Sequence, residues 1–179
     1  MEISEIRAKN LYGSWNKHYL ASDIKVFLFK FYNNILGTNL RVSKFNYKIS
    51  PACTFCTITG PHPANREDFS HVFFHCPTVK NLIEEFFSKY MVINVPECAT
   101  FFGANLGENE IANKSFQLAM DILRFHIWST KLEKKIPNKT IIFENVNDTF
   151  SRILKISTKI SIEFNTCSLF RNHRRDEPP

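Results

Sequence analysis

Four side chains that bind soft divalent metals lie close together in the chain. Their spacing is C-x2-C-x14-H-x4-C, and they are Cys53, Cys56, His71 and Cys76. Two thiolates separated by two residues can bind one ion from the same tight turn, and a third thiolate with an imidazole completes a tetrahedron. Thiolates favour zinc over magnesium or calcium. The pattern therefore predicts a closed structural Zn2+ site with no position left for a reactive water.

The spacing alone leaves alternatives for these residues. His62 and His75 are other candidates for the nitrogen ligand. A further alternative is that the cysteines are small core residues and that His71 lies on the surface. The metal site is favoured because three of the five cysteines fall in this one segment. The other two are Cys98 and Cys167, and either of them acting as a nucleophile with a distant histidine is the enzymatic alternative.

The residues around the metal-binding pattern resemble a known family. The C-x-x-C pair is followed by the run EDFSHVFFHCP, from Glu67 to Pro77. Together they resemble the zinc-binding domain downstream of the polymerase in non-LTR retrotransposon reverse transcriptases, where an acidic residue precedes the histidine and the segment ends in H-C-P. A looser similarity spans roughly residues 15–137. Two departures are Thr57, where glycine often follows the second cysteine, and a long insert up to Arg66.

The resemblance implies a non-catalytic accessory domain that binds structural Zn2+ and holds template RNA or target DNA. It also implies a piece of a reverse transcriptase polyprotein, or a gene derived from one, with the polymerase body of the same retroelement as a possible partner. The chain has no Y-x-D-D pair or aspartate cluster for two-metal catalysis. It has no zinc-deaminase signature and no glycine-rich phosphate loop either. We therefore expect no enzymatic activity.

The basic residues are concentrated towards the ends of the chain. The formal net charge is +6, and residues 1–50 contain eight basic residues against three acidic ones. A basic segment permits contact with phosphates, and a plain solvated surface is the alternative. The candidate phosphate-binding residues are Lys17, Lys25, Lys30, Arg41, Lys44 and Lys48. We expect RNA or DNA binding that is weak in isolation.

Aromatic residues of the knuckle are candidates for stacking on a base. They are Phe55 and Phe74, with core packing as the alternative. The second function class is a protein-interaction scaffold, in which the same fold docks on the polymerase body or another partner through its apolar helices. The salt dependence of any nucleic-acid affinity separates the two classes, because phosphate contacts release counterions and docking does not.

The elements that must position these residues are predicted to be mainly α-helical. The chain has 18 Phe and only 5 Gly, which is typical of helices around an aromatic core rather than a turn-rich barrel or sandwich. We expect one compact helical domain with an inserted CCHC zinc knuckle and a short β-hairpin. Its parts are N-terminal helices in residues 1–50, the knuckle and the next helix in residues 51–90, C-terminal helices in residues 91–168 and a disordered basic tail in residues 169–179.

Apolar periodicity and helix-breaking residues predict where the helices lie. The predicted helices are residues 4–20, residues 22–36 with Ser22 and Asp23 as the N-cap and Gly37 as the end, residues 38–45, a helix opening at Pro77, residues 108–135 and residues 139–165. Phe69, Val72 and Phe73 are predicted to form a strand of the hairpin. This arrangement would place His71 on the far side of the hairpin and Cys76 at the start of the next helix.

We expect no targeting segment in this sequence. The first residues, MEISE, are charged and lack the apolar segment of a secretory signal. The most apolar stretch, residues 24–36, is too short and too polar to span a bilayer. We expect an intracellular protein, nuclear with cytoplasmic transit, that has no membrane partner and keeps its cysteines reduced.

Overall fold

The computed structural model describes residues 18–60, 65–90 and 110–156. These parts are mainly helical, which confirms the predicted fold class. Their helices are α1 (Ser22–Tyr32), α2 (Asn39–Ser43), α3 (Thr54–Thr59), a π-helical turn (His71–His75, the π turn below), α4 (Pro77–Tyr90), α5 (Glu110–Leu132) and α6 (Lys139–Ile156). In the same parts of the chain, no helix is both long enough and apolar enough to cross a membrane.

The predicted strand at Phe69, Val72 and Phe73 is wrong. Phe69 is helical, and the π turn contains the other two. β-Branched and aromatic residues have high strand propensity, which explains the prediction. However, Val72, Phe73 and Phe74 are all buried, and a strand points successive side chains to opposite faces. A helical turn places all three against the core. The pairing observed in the described segments is an isolated antiparallel bridge between Ala52 and Arg66.

Helix α1 ends five residues before the predicted Gly37. The N–H of Asn34 donates to the carbonyl of Phe31 (3.0 Å), and the N–H of Ile35 donates to the carbonyl of Lys30 (2.9 Å). This is the Schellman pattern of a helix C-terminus, and Asn34 takes the left-handed conformation it needs, with φ of 51°. Asparagine tolerates that conformation better than most residues, so the chain turns here without a glycine.

Helix α5 ends by the same device. The N–H of Lys134 donates to Lys131 (3.0 Å), and the N–H of Lys135 donates to Thr130 (3.3 Å). Lys134 has φ of 53°. Helix α5 therefore ends at Leu132, close to the predicted end before Pro137. Helix α6 follows after a short connection. Asn138 accepts a hydrogen bond from the N–H of Ile141 at the start of α6 (3.3 Å), as expected of an N-cap.

The core is built from aromatic rings that join α1, the π turn and α5. Phe31 and Phe73 make an edge-to-face pair with centroids 5.0 Å apart. Phe73 stacks on Trp128 at 5.9 Å, and Phe27 meets Phe125 at 5.7 Å. Such pairs contribute about 0.5–1.5 kcal/mol each beyond the apolar area they bury. The aromatic core therefore lies directly against the segment that contains His71.

Several predictions fall outside the described residues. They concern the helix at residues 4–17, the connection at residues 91–107, the last part of the helix at residues 157–165, the tail at residues 169–179, and the side chains of Lys17, His62, Cys98 and Cys167. The start of α1 is described and differs slightly from the prediction. Ala21 is the N-cap and Ser22 is already helical, while Asp23 lies in the first turn.

Candidate metal centre

Short helical elements bring the four predicted ligands together. Cys53 is the N-cap of α3, and Cys56 lies in the first turn of that helix. His71 begins the π turn, and Cys76 is its C-cap, directly before α4. The N–H of Cys76 donates to the carbonyl of His71 (2.7 Å), the five-residue hydrogen bond that defines a π turn. That wide turn brings both side chains to the same side.

The four donor atoms have the spacing of a tetrahedral zinc site. The three sulfurs and one imidazole nitrogen all lie within 4.8 Å of one another. The Sγ of Cys76 is 3.9 Å from that of Cys53 and 3.8 Å from that of Cys56, and Cys56 Sγ is 3.4 Å from His71 Nε2. Around Zn2+, bonds of about 2.3 Å to sulfur and about 2.05 Å to nitrogen give tetrahedral edges of about 3.8 Å and about 3.6 Å. The residues therefore fit this ion.

The four ligand side chains are buried, so several negative thiolates here need a nearby positive charge. The hydrogen bond to Cys76 and burial raise the pKa of the Cys53 thiol, and burial raises the pKa of Cys56. The hydrogen bond from Cys53 lowers the pKa of Cys76. A second or third thiolate in this buried space needs a compensating cation, which a divalent metal supplies.

A buried carboxylate that is not a metal ligand holds the segments that contain the ligands. Glu67 is fully buried, and its Oε2 accepts the N–H of Thr54, the residue after the first cysteine (2.8 Å). Its Oε1 accepts the N–H of Asn39 (2.8 Å) and lies 2.8 Å from Lys131 Nζ. Asp68, the neighbouring acid, accepts the N–H of His71 (2.6 Å) and so caps the π turn. The acidic pair before the histidine thus orients both halves of the cluster.

Thr57 follows the second cysteine, where the family that this sequence resembles often has a glycine. Local hydrogen bonds show what the threonine does there. Thr57 donates its hydroxyl to the carbonyl of Cys53 (2.8 Å), and its N–H reaches the same carbonyl at 2.9 Å. The threonine therefore continues α3. The turn comes later, at Gly60, whose φ of 64° is easily adopted only by glycine.

The alternative nitrogen ligand within the described residues lies outside the cluster. His75 belongs to the same π turn but is exposed, and the group of donor atoms contains His71 instead. His71 is buried with 7% of its surface exposed. The structure thus brings together the four residues that the spacing predicts.

The predicted phosphate-binding residues lie on two elements. Lys30, Arg41, Lys44 and Lys48 are exposed and Lys25 is half-buried. Two of these belong to α1, and the other three belong to α2 and the loop after it. The guanidinium of Arg41 donates to the carbonyl of Asn34 (2.8 Å), which ties α2 to the end of α1.

Phe55 and Phe74 pack in the core, which is the alternative to their stacking on a base. Phe55 is 1% exposed and Phe74 is 9% exposed, so neither ring is available to a base. Phe74 instead packs edge-to-face on Phe69, with centroids 5.9 Å apart. Sequence reasoning also missed the position of Lys131 beside Glu67. The acidic residue before the histidine was its only sequence signal, because the two residues are far apart in the chain.

Comparison with known proteins agrees with this geometry. Residues 3–82 match the model of a family described as zinc-binding in reverse transcriptase. The match includes all four residues of the cluster and ends within α4. The family description names zinc binding. Searches of curated proteins and of solved structures gave no match. The resemblance is therefore confirmed over residues 3–82, which match the model of zinc-binding domains in reverse transcriptases.

Proposed function

We propose that the chain binds one structural Zn2+ through its Cys3His cluster and serves as a non-catalytic accessory domain of a retroelement reverse transcriptase. The observation that carries this proposal is the tetrahedral spacing of the four buried donor atoms. Three thiolates and one imidazole fill the coordination sphere of zinc, so the ion holds the knuckle together and has no position for a substrate.

Metal analysis tests the zinc site directly. We expect one zinc ion per chain in protein purified without chelator, and loss of that ion in His71→Ala, because the cluster would lose its nitrogen ligand. The matched control is His75→Ala, which removes an exposed histidine from the same π turn. Zinc content that is unchanged in His71→Ala, or lost in His75→Ala, would contradict the assignment.

The partner we propose for this domain is RNA or DNA. Residues 24–66 contain six basic residues and no acidic residue at all. The exposed ammonium groups of Lys30, Lys44 and Lys48 make no ion pair within the described parts of the chain. They are therefore available for phosphates, which position a nucleic acid without reading its sequence. Such a role places the protein in the nucleus, after transit through the cytoplasm.

A salt-titrated binding assay tests the nucleic-acid partner. If about three phosphates are neutralised, the logarithm of the affinity falls with the logarithm of salt concentration at a slope of about −3 for duplex DNA. Reversing Arg41, Lys44 and Lys48 to glutamate should weaken binding to all sequences alike. The control reverses Lys134, Lys135 and Lys155, which are also exposed and change the net charge equally. Equal effects of the two triple variants would show that binding depends on the net charge of the protein and not on these three residues.

A second candidate function is a scaffold that docks on the polymerase body. Its support is a set of apolar side chains at the turn between α5 and α6, namely Leu132, Ile136 and Ile141, which are 60%, 64% and 54% exposed. Apolar docking predicts an association that high salt leaves intact. Absence of nucleic-acid binding at low salt, together with salt-resistant binding to the polymerase, would favour the scaffold over the first candidate.

A further inference from the structure

The loop between α2 and the first cysteine exposes two aromatic rings. Phe45 is 87% exposed and Tyr47 is 90% exposed, the highest values among the large hydrophobic side chains of the described residues. Most other aromatic side chains of the described residues pack in or against the core, although Phe29 is 50% exposed. A single exposed apolar residue is ordinary on a protein surface. Two rings separated by one residue, in a structure whose other described aromatic rings are mostly buried, suggest a binding role.

Basic residues surround these two rings. The sequence from Arg41 to Lys48 reads RVSKFNYK, so that Lys44 precedes Phe45 directly and Lys48 follows Tyr47 directly. Arg41, Lys44 and Lys48 are all exposed. A surface that alternates cations with aromatic faces suits a partner that alternates phosphates with flat bases. An acidic peptide would use the charges and leave the rings in water.

Hydrogen bonds within the loop form two turns around the rings. The N–H groups of Phe45 and Asn46 both donate to the carbonyl of Val42, at 3.0 Å and 2.9 Å. The side chain of Asn46 accepts the N–H of Lys48 (3.1 Å). These bonds present the rings from preformed turns, which reduces the ordering cost of binding. Helix α2 is in turn anchored to Glu67 through the N–H of Asn39.

We propose that Phe45 and Tyr47 form a stacking platform for single-stranded nucleic acid. The two rings stack on unpaired bases, and Arg41, Lys44 and Lys48 contact the phosphates on either side. Bases in a duplex are already stacked on one another, so the rings distinguish single strands from duplexes. This inference rests on the proposed nucleic-acid role and adds the class of partner. Five residues lie between Tyr47 and Cys53, so the platform lies beside the metal centre in the sequence.

Fluorescence anisotropy with the zinc-loaded full chain tests the platform. The probes are labelled oligo(dT), labelled oligo(U) and a mixed-sequence DNA duplex. In Phe45→Ala/Tyr47→Ala, we expect affinity for both single strands to fall about fivefold or more, since alanine substitution at a stacking site removes this much per base. Affinity for the duplex should change less than about twofold, because phosphate contacts are unaltered.

Conservative variants separate stacking from general apolar contact. Tyr47→Phe keeps the ring and should retain wild-type affinity for single strands. Phe45→Leu keeps an apolar side chain without the ring, and its affinity for single strands should fall. Ile156→Ala, which truncates an exposed apolar side chain on α6, is the control and should bind normally. Because Phe45 and Tyr47 are so exposed, the variants should keep the melting temperature and zinc content of the wild type.

The outcomes distinguish failure of this inference from failure of the proposed function. Unchanged single-strand affinity in Phe45→Ala/Tyr47→Ala, with weakened binding after charge reversal at Arg41, Lys44 and Lys48, would overturn the platform and leave the nucleic-acid role. Equal losses for duplex and single strands would also overturn it. Absence of any binding to the three probes at low salt would overturn both the platform and the nucleic-acid role. Binding of the polymerase body through the same rings would favour protein docking in their place.

Discussion

The carboxylate of Glu67 lies 2.8 Å from the ammonium of Lys131, and both side chains are buried. The same carboxylate accepts the backbone N–H groups of Thr54 and Asn39. One buried charge therefore joins the long helix α5 to the start of α3 and the start of α2. Lys131 also lies 4.5 Å from the centre of the Trp128 ring, which further fixes its position. The metal knuckle is in this way attached to the helical core by a group that is not a ligand.

Glu67→Gln should destabilise the folded protein strongly. Removing one partner of a buried ion pair leaves an uncompensated charge, which typically costs about 3–5 kcal/mol. The free energy of unfolding, measured by urea titration of the zinc-loaded protein, should fall by this order. The matched control is Glu133→Gln, whose partner Lys135 is largely exposed. We expect the control to change stability by less than about 1 kcal/mol. Similar losses of unfolding free energy for the two substitutions would show that the buried ion pair contributes no more to stability than the exposed one.

The sequence predicted those parts of the molecule that depend on local patterns. The ligand set could be read because Cys53 and Cys56 lie in one turn and because the H-C-P ending is a local motif. The Glu67–Lys131 pair could not, since nothing in the sequence relates residues so far apart. The strand prediction at Phe73 failed because propensity favours a strand, whereas burial of three successive side chains requires a helical turn. Tertiary packing decided these features.

Removal of the metal should loosen the knuckle without unfolding the helical core. Structural zinc supplies about 10–16 kcal/mol of apparent binding energy in small finger peptides, which unfold without it. Here α5 packs against both α1 and α6 through its own contacts. Amide hydrogen exchange should therefore show lost protection in α3 and the π turn and retained protection in α5 and α6 after treatment with a chelator.

Treatment with the same chelator already saturated with zinc is the control for that experiment, and it should leave the exchange pattern unchanged. Loss of protection throughout α5 and α6 would contradict the prediction. It would mean that the metal holds the whole fold, as it does in small fingers.

Truncation of the ring at the centre of the aromatic core should be costly. Phe73 is 1% exposed and contacts the rings of Phe27, Phe31 and Trp128. Phe73→Ala should lower the free energy of unfolding by about 3–5 kcal/mol, because it removes buried apolar area and leaves a cavity. The same substitution at the exposed Phe45 is the control, and it should change stability by less than about 0.5 kcal/mol. Thermal or urea unfolding of both variants measures the difference, and comparable losses would contradict the assignment of Phe73 to the core.

The buried carboxyl of Asp121 should make stability depend on pH. Burial raises its pKa to about 6 from an ordinary value of 3.8, although Arg124 and the hydroxyl of Tyr32 lower it in part. The folded protein therefore holds this proton more tightly than the unfolded chain does. The resulting stabilisation is fully present below pH 3.8 and is lost as the pH rises through about 6.

Comparison with Asp121→Asn isolates this contribution. The wild type should lose free energy of unfolding relative to the variant as the pH rises from about 4 to about 7, because only the wild type carries the titrating carboxyl. Burial lowers the pKa of His126 to about 4, so this group acts in the opposite direction in the same range. Both proteins contain His126, and its effect cancels in the difference between their urea unfolding curves. A difference that stays constant with pH, or one that moves in favour of the wild type as the pH rises, would show that the Asp121 carboxyl is already ionised throughout this range.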